Sequence, residues 1–301
     1  MAFSINHIFF PTDFSKNAKR ALPFAAEIAL KTDAKLTLFH ATQETMDIAP
    51  DFEKKRDQVI DDTSNNFDKL LNSLEGDQYN NLDISTVVQD GQAVTALLNQ
   101  VDERSIDLIV MGTKGVTGDR NVILGSVASS VIQKSPVPVL AVPTGSSLDN
   151  FKNLIFTSDY KKGDLTALSN SIDFAKLFNS SVEVLHVSDQ KNMESEIKFR
   201  GFRELANEHI NYDNISFHHE YELDFFPTIS QFLADRPNSL LVMVRYKKSF
   251  WEKLTNRSLS KEMTFYSKVP LLVMIGNQNV MIGNQNSKSE NILEGSEKES
   301  S

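Results

Sequence analysis

A stretch near the start of the chain returns in its middle. HIFFPTDFSKNAKRAL at 7–22 lies over NLIFTSDYKKGDLTAL at 153–168 with a constant offset of 146. The same offset carries LTLFHA (36–41) onto VEVLHV (182–187), and His40 onto His186. Further along the offset becomes 132: DLIVMG (107–112) lies over SLLVMV (239–244), and KSPVPVL (134–140) over YSKVPLL (266–272). Whatever the first half folds into, the second must fold into as well, since a repeated hydrophobic pattern specifies a repeated unit. The chain of 301 residues therefore divides into one domain over 1–146, a second over 150–276, and a tail over 277–301. Two units of this size each suit an ordinary domain core. The shift in offset places the residues missing from the second copy around Met193 to Ile210.

Within the first copy, short apolar runs alternate with segments of helical period. Ile8–Pro11, Leu36–Ala41, Ile84–Val88, Leu108–Met111 and Val139–Val142 read as strands. Ala18, Leu22, Ala25 and Ala29 stripe a helix with Ser15 as its candidate cap, and Pro23 inside it predicts a kink or a later start. Phe52, Val59, Ile60, Phe67, Leu70, Leu71 and Leu74 mark a long amphipathic helix that Gly76 is expected to end. Val94, Leu97, Leu98 and Val101 mark another. Strands alternating with helices define an α/β class, a parallel sheet with helices on both faces, present here in two tandem copies.

The segment from Ser105 to Pro143 carries the chemistry. Gly112 ends a buried strand, Gly115 and Gly118 follow in a loop, and Gly125-Ser126 opens a helix that Pro136 and Pro138 stop. A helix start presents unpaired N–H groups and the positive end of the helix dipole, which suits an anion such as phosphate. Lys114 could add a point charge. The spacing Gly-x2-Gly-x9-Gly-Ser is neither the P-loop nor the dinucleotide fingerprint.

It resembles the nucleotide-binding signature of the universal stress protein family, in its ATP-binding branch. IFFPTDFSKNAKRAL (8–22), LTLFHA (36–41) and SPVPVLAVP (135–143) extend the resemblance across the first half. The resemblance implies open five-stranded parallel sheets of order 3-2-1-4-5, with the ligand crevice between strands one and four. It implies that Pro11, Thr12, Asp13 and Ala41 hold adenine and ribose. Met111, Gly112, Lys114, Gly115, Gly125, Ser126 and Val127 would hold the rest of the nucleotide and its phosphates. The implied ligand is ATP or another adenine nucleotide, with Mg²⁺ as a companion for which Asp13 and Asp119 are the nearby acids. The function implied is a stress-response sensor or adaptor. A slow ATPase, an autophosphorylating enzyme, and a partner-binding scaffold with a structural nucleotide remain alternatives. Asp13 also suits a purely local role as a helix-capping acid. The resemblance further implies pairing of the two copies through Val137–Val142 and Val269–Ile275, whose apolar edges invite an antiparallel partner. A homodimer and an unidentified protein partner stay open.

The second copy loses the loop glycines: Val244 falls on Gly112, Lys247 on Gly115 and Arg257 on Gly125, and only Ser258 keeps its counterpart, Ser126. One nucleotide per chain is expected. KKSFWEK (247–253) holds the single tryptophan, read first as packed on its own lobe and otherwise as a partner-docking or anion-contacting loop. A net charge of −9 argues against nucleic acid. The absence of cysteine excludes disulfides and thiol nucleophiles. No run of eighteen apolar residues and no leader pattern stand out, so a soluble, cytoplasmic protein away from membranes is expected. His40 and His186 read as structural, and the adjacent His218 and His219 point to opposite faces of a strand, a poor arrangement for chelation. The polar tail, which contains MIGNQN twice, is expected to be disordered.

Overall fold

The computed structural model describes residues 4–42, 52–113, 124–161, 163–246 and 269–276. The first half runs β1 (His7–Pro11), α1 (Lys16–Thr32), β2 (Lys35–Thr42), α2 (Phe52–Leu71), β3 (Ile84–Asp90), α3 (Ala93–Glu103), β4 (Leu108–Gly112), α4 (Ser126–Lys134) and β5 (Val139–Val142). The second runs β6 (Asn153–Thr157), α5 (Asp164–Phe178), β7 (Ser181–Ser188), α6 (Met193–His209), β8 (Ile215–Tyr221), α7 (Phe225–Ala234), β9 (Ser239–Arg245) and β10 (Leu271–Ile275).

These strands form one ten-stranded sheet of order β3-β2-β1-β4-β5-β10-β9-β6-β7-β8. Strand order 3-2-1-4-5 therefore appears in the first half and is mirrored in the second. Neighbours within each half are parallel, as crossover helices require. The two halves meet antiparallel at β5 and β10, with Leu271 opposite Ala141, Leu272 opposite Leu140 and Val273 opposite Val139. Each edge strand thus satisfies the other's backbone groups.

Side chains alternate across this sheet and build two cores. Ile8 and Phe10 of β1 join the layer under α1, α2, α5 and α6, while Phe9 between them joins the layer under α3, α4 and α7. Both layers run across the junction. Leu140 and Leu272 share one with Phe24 and Phe151, whose rings meet edge-on at 5.4 Å, and Val139 and Val273 share the other.

Pro23 neither delays nor ends its helix. The helix α1 begins at Lys16, with the Ser15 hydroxyl accepting from the Ala18 N–H at 3.2 Å, and passes through Pro23 to Thr32. The carbonyl that Pro23 deprives of a donor belongs to exposed Lys19, where water can serve it. Helix α2 stops at Leu71, earlier than Gly76 suggested; turns closed by Ser73 N–H to Leu70 O and Leu74 N–H to Leu71 O intervene. The shortening of the second copy falls less on the helix than expected: α6 has 17 residues against 20 in α2, and much of the rest lies in the connection to the next strand, 210–214 against 72–83. Among the described residues no helix is long and apolar enough to cross a membrane. The tail over 277–301 and the KKSFWEK segment lie outside the described residues.

Candidate crevices at the strand ends

The turn after β1 is built from its own side chains. Thr12 donates its N–H to Phe39 O at 2.8 Å, and its hydroxyl accepts from Phe14 N–H at 2.9 Å. Phe14 then takes φ 59°, a left-handed conformation that is uncommon for an aromatic residue. Asp13 Oδ1 accepts from Ser15 N–H at 3.0 Å, so this acid does support the turn, although Ser15 is the helix cap. His40 Nδ1 donates to Thr12 O at 2.8 Å and its ring packs on Phe14 at 4.6 Å. The second half repeats the turn but not its acid: Ser158 N–H to Leu185 O at 3.0 Å, Tyr160 N–H to Ser158 Oγ at 3.0 Å, Tyr160 at φ 57° and His186 Nδ1 to Ser158 O at 2.6 Å recur, whereas Lys161 N–H goes to Asp164 rather than to Asp159.

Above this turn in the first half lies a cavity of about 470 Å³, between the carboxyl ends of β1 and β4 and the start of α4. Pro11, Thr12, Asp13, Ala41, Met111, Gly112, Gly125, Ser126 and Val127 all line it. Lys114 and Gly115, like Gly118 and Asp119, lie outside the described residues. Among the described residues Ala18, Phe39, His40, Ala93, Leu97, Thr113 and Ala128 also line it, and the sequence resemblance does not include them among its binding residues.

Gly125 is the N-cap of α4, with extended backbone and no capping side chain. Its own N–H is spent on Thr113 O at 2.6 Å, which ties the returning loop to the end of β4. The N–H groups of Ser126, Val127 and Ala128 have no intrahelical acceptor, as in the first turn of any α-helix, and they belong to residues that line the cavity. Gly112 is constrained by a packed neighbour. A Cβ there would stand 3.2 Å from Asn17 O and 3.4 Å from Ala18 N, so the missing side chain makes room for the first turn of α1.

Among the described residues the second half leaves little space in the same place. A pocket of only about 20 Å³ is lined by Thr157, Asp159, Asp164, Phe225, Met243, Val244 and Tyr246. The two offsets map these onto Pro11, Asp13, Ala18, Ala93, Met111, Gly112 and Lys114. Three exchanges fill the space: Ala18 becomes Asp164, Ala93 becomes Phe225 and Gly112 becomes Val244. Val244 is tolerated where Gly112 was needed because α5 begins at Asp164, two residues later than α1 does by the same offset. Asp164 is fully buried and tied down: its Oδ2 accepts from Ser158 Oγ at 2.8 Å, Asp159 N–H at 2.9 Å and Lys161 N–H at 3.1 Å, and its Oδ1 from the Tyr246 hydroxyl. Burial pushes the Asp164 carboxyl up, against the pull of these donors. Among the described residues no cluster of three or more His, Asp or Glu side chains could hold a metal.

Comparison with known proteins agrees with this architecture. The universal stress protein family profile matches residues 4–143. The universal stress protein YxiE of Bacillus subtilis is 28% identical over 145 residues, covering 46% of this chain and 98% of that protein. A universal stress protein of Mycobacterium tuberculosis is 33% identical over 138 residues, covering 44% of this chain and 92% of its own length. The chain belongs to the universal stress protein family. At the level of fold alone, a universal stress protein structure from Archaeoglobus fulgidus superposes over 93% of this chain and 99% of its own, with a TM-score of 0.69 at 17% identity.

Proposed function

We propose that the chain is a tandem pair of universal stress protein domains, over 1–146 and 150–276, which binds one adenine nucleotide, ATP foremost, in the crevice of the first. On this reading it serves as a cytoplasmic sensor or adaptor whose state reports nucleotide availability. The observation that carries the proposal is the coincidence of an open cavity and an anion-binding helix start. The 470 Å³ space is of the size that small-molecule sites occupy. It has an apolar side supplied by Phe39, Leu97 and Met111, suited to a base, and a polar end supplied by the N–H groups of Ser126, Val127 and Ala128, suited to phosphate. The residues present therefore fit the ligand. Asp13 is the carboxylate that the described residues bring to the crevice, and it would be the first candidate to meet a Mg²⁺ travelling with the phosphates.

The chain's part in binding is positional. Helix α4 supplies fixed dipoles that cost no reorganisation when the anion arrives, and the turn of Thr12 and Asp13 holds the opposite wall by its own hydrogen bonds. Titration calorimetry with ATP on the full chain tests the proposal. Saturable binding that Gly125→Arg removes is expected. No heat of binding in the unaltered chain, or equal affinity in the variant, would overturn it.

A further inference from the structure

Helix α4 touches both halves of the molecule, one at each end. Its first turn lies in the crevice; its last turn lies against the end of β9. Four carbonyls at the end of an α-helix lack intrahelical donors and need partners from elsewhere. Ser135, which follows the helix, is fully buried, so water cannot serve its carbonyl. The guanidinium of Arg245, at the end of β9 in the second half, does so: Nη1 donates to Gln133 O at 2.8 Å and Nη2 donates to Ser135 O. The side chain is drawn far enough out of water that its Nε has no partner among the described residues. Leaving a buried donor unpaired is costly, so the two carbonyls at the helix end must offset that cost.

Among the described residues the contact is one-sided. The counterpart of Arg245 in the first half is Thr113, too short to reach across, and its backbone is used locally: N–H to Val142 O at 3.1 Å and carbonyl to Gly125 N–H at 2.6 Å. The arginine therefore comes from the half whose crevice is filled and holds the helix of the half whose crevice is open. A cation at a helix C-terminus complements the dipole whose positive end faces the crevice. A helix of nine residues is a stiff lever of about 13 Å.

We propose that Arg245 is a positioning residue for the first crevice: by holding the last carbonyls of α4 it sets where the first-turn N–H groups meet phosphate, so that the second half governs nucleotide affinity in the first. The inference rests on the nucleotide reading above. It has a reciprocal consequence, because coupling between two sites acts equally in both directions. Nucleotide held at the start of α4 must steady the contact at its end, and with it the neighbouring Gly276 N–H, which donates to Arg245 O at 2.9 Å.

The test uses the full chain with ATP as the probe. Titration of the unaltered chain reads the nucleotide proposal by itself; the variants read this one. Arg245→Met is expected to bind ATP roughly fivefold or more weakly, at the lower end of coupling between linked sites. Arg245→Lys, which keeps the charge but not the fork, is expected to fall between. In the unaltered chain ATP is expected to slow amide exchange at Gly276 and Met274, in the half that does not bind it, and Arg245→Met is expected to lose that protection. A merely structural cap would not produce this ligand-dependent protection. Folded Arg245→Met with affinity within twofold of the unaltered chain would overturn the proposal. So would an absence of ATP-induced protection at Gly276 and Met274 in the unaltered chain, a result that stands even if Arg245→Met fails to fold.

Discussion

The two crevices of this chain share a backbone and differ in what occupies it. Both follow a β1-type turn in which a hydroxyl residue fixes an aromatic at positive φ, and both have a histidine ring bonded to the same carbonyl. Yet among the described residues one encloses about 470 Å³ and the other about 20 Å³. The difference is made by side chains at paired positions, Ala18 against Asp164, Ala93 against Phe225 and Gly112 against Val244, together with the Tyr246 ring closing over Asp164. A duplicated fold can thus keep its cores and its junction while one copy turns its binding space into interior. What the filled copy retains is its share of the junction and the arginine it lends to α4.

The largest effect should come from moving one filler across. Ala93 sits half-buried at the first position of α3, so a ring there extends into the crevice without displacing core. Ala93→Phe is expected to weaken ATP binding by roughly tenfold to a hundredfold, the equivalent of imposing an overpacking cost on the bound ligand. Thermal unfolding should change little. Full retention of ATP affinity would break the comparison, since Phe225 would then be no explanation for the closed copy.

Next in size is Gly112→Val. Its new Cβ would press on Asn17 O from 3.2 Å, and α1 has no later start with which to yield. A loss of about 1–3 kcal/mol in urea unfolding is expected. Tyr246→Phe should cost somewhat less, about 1–2 kcal/mol, because it strips Asp164 Oδ1 of its phenol donor while keeping the ring. Neither change should open a second nucleotide site.

The smallest effect concerns pH. His186 and His219 lie 5.1 Å apart, centroid to centroid, in the second half. Burial holds both below their ordinary value of 6.5; for His219 the neighbouring His186 adds to it, and for His186 the bond to Ser158 O opposes it. The unfolded chain then binds more protons than the folded one below about pH 6.5, so this contribution is complete above that pH and is lost as the pH falls. Unfolding measured at pH 7.5 and 5.5 should show the loss, and His219→Gln should reduce it. Identical pH dependence in that variant would remove His219 from the account.

The repeat made most of this architecture legible in advance. The alternation of apolar runs gave strands and helices in order, and Ser15 and Gly125 marked the two helix starts that frame the crevice. Pro23 does not delay the start of α1, because a proline there costs one carbonyl its donor and burial of Leu22, Phe24 and Ala25 around it outweighs that single loss. What bars a side chain at Gly112 is α1, a neighbour distant in sequence that no local pattern announces. Ala18 and Ala93 carry no signal alone. Set beside Asp164 and Phe225 at the same offsets, they do: small against large at paired positions marks where one copy keeps space that the other fills. Arg245 had no such signal, because its partners are backbone carbonyls, which any sequence supplies.

The central claim is asymmetry, and stoichiometry tests it most directly. Calorimetric titration of ATP into nucleotide-free full-length chain should give one site per chain, and in Ala93→Phe that same site should weaken with no other taking its place. Two equivalent sites per chain, or binding that Phe225→Ala weakens and Ala93→Phe leaves intact, would contradict the account.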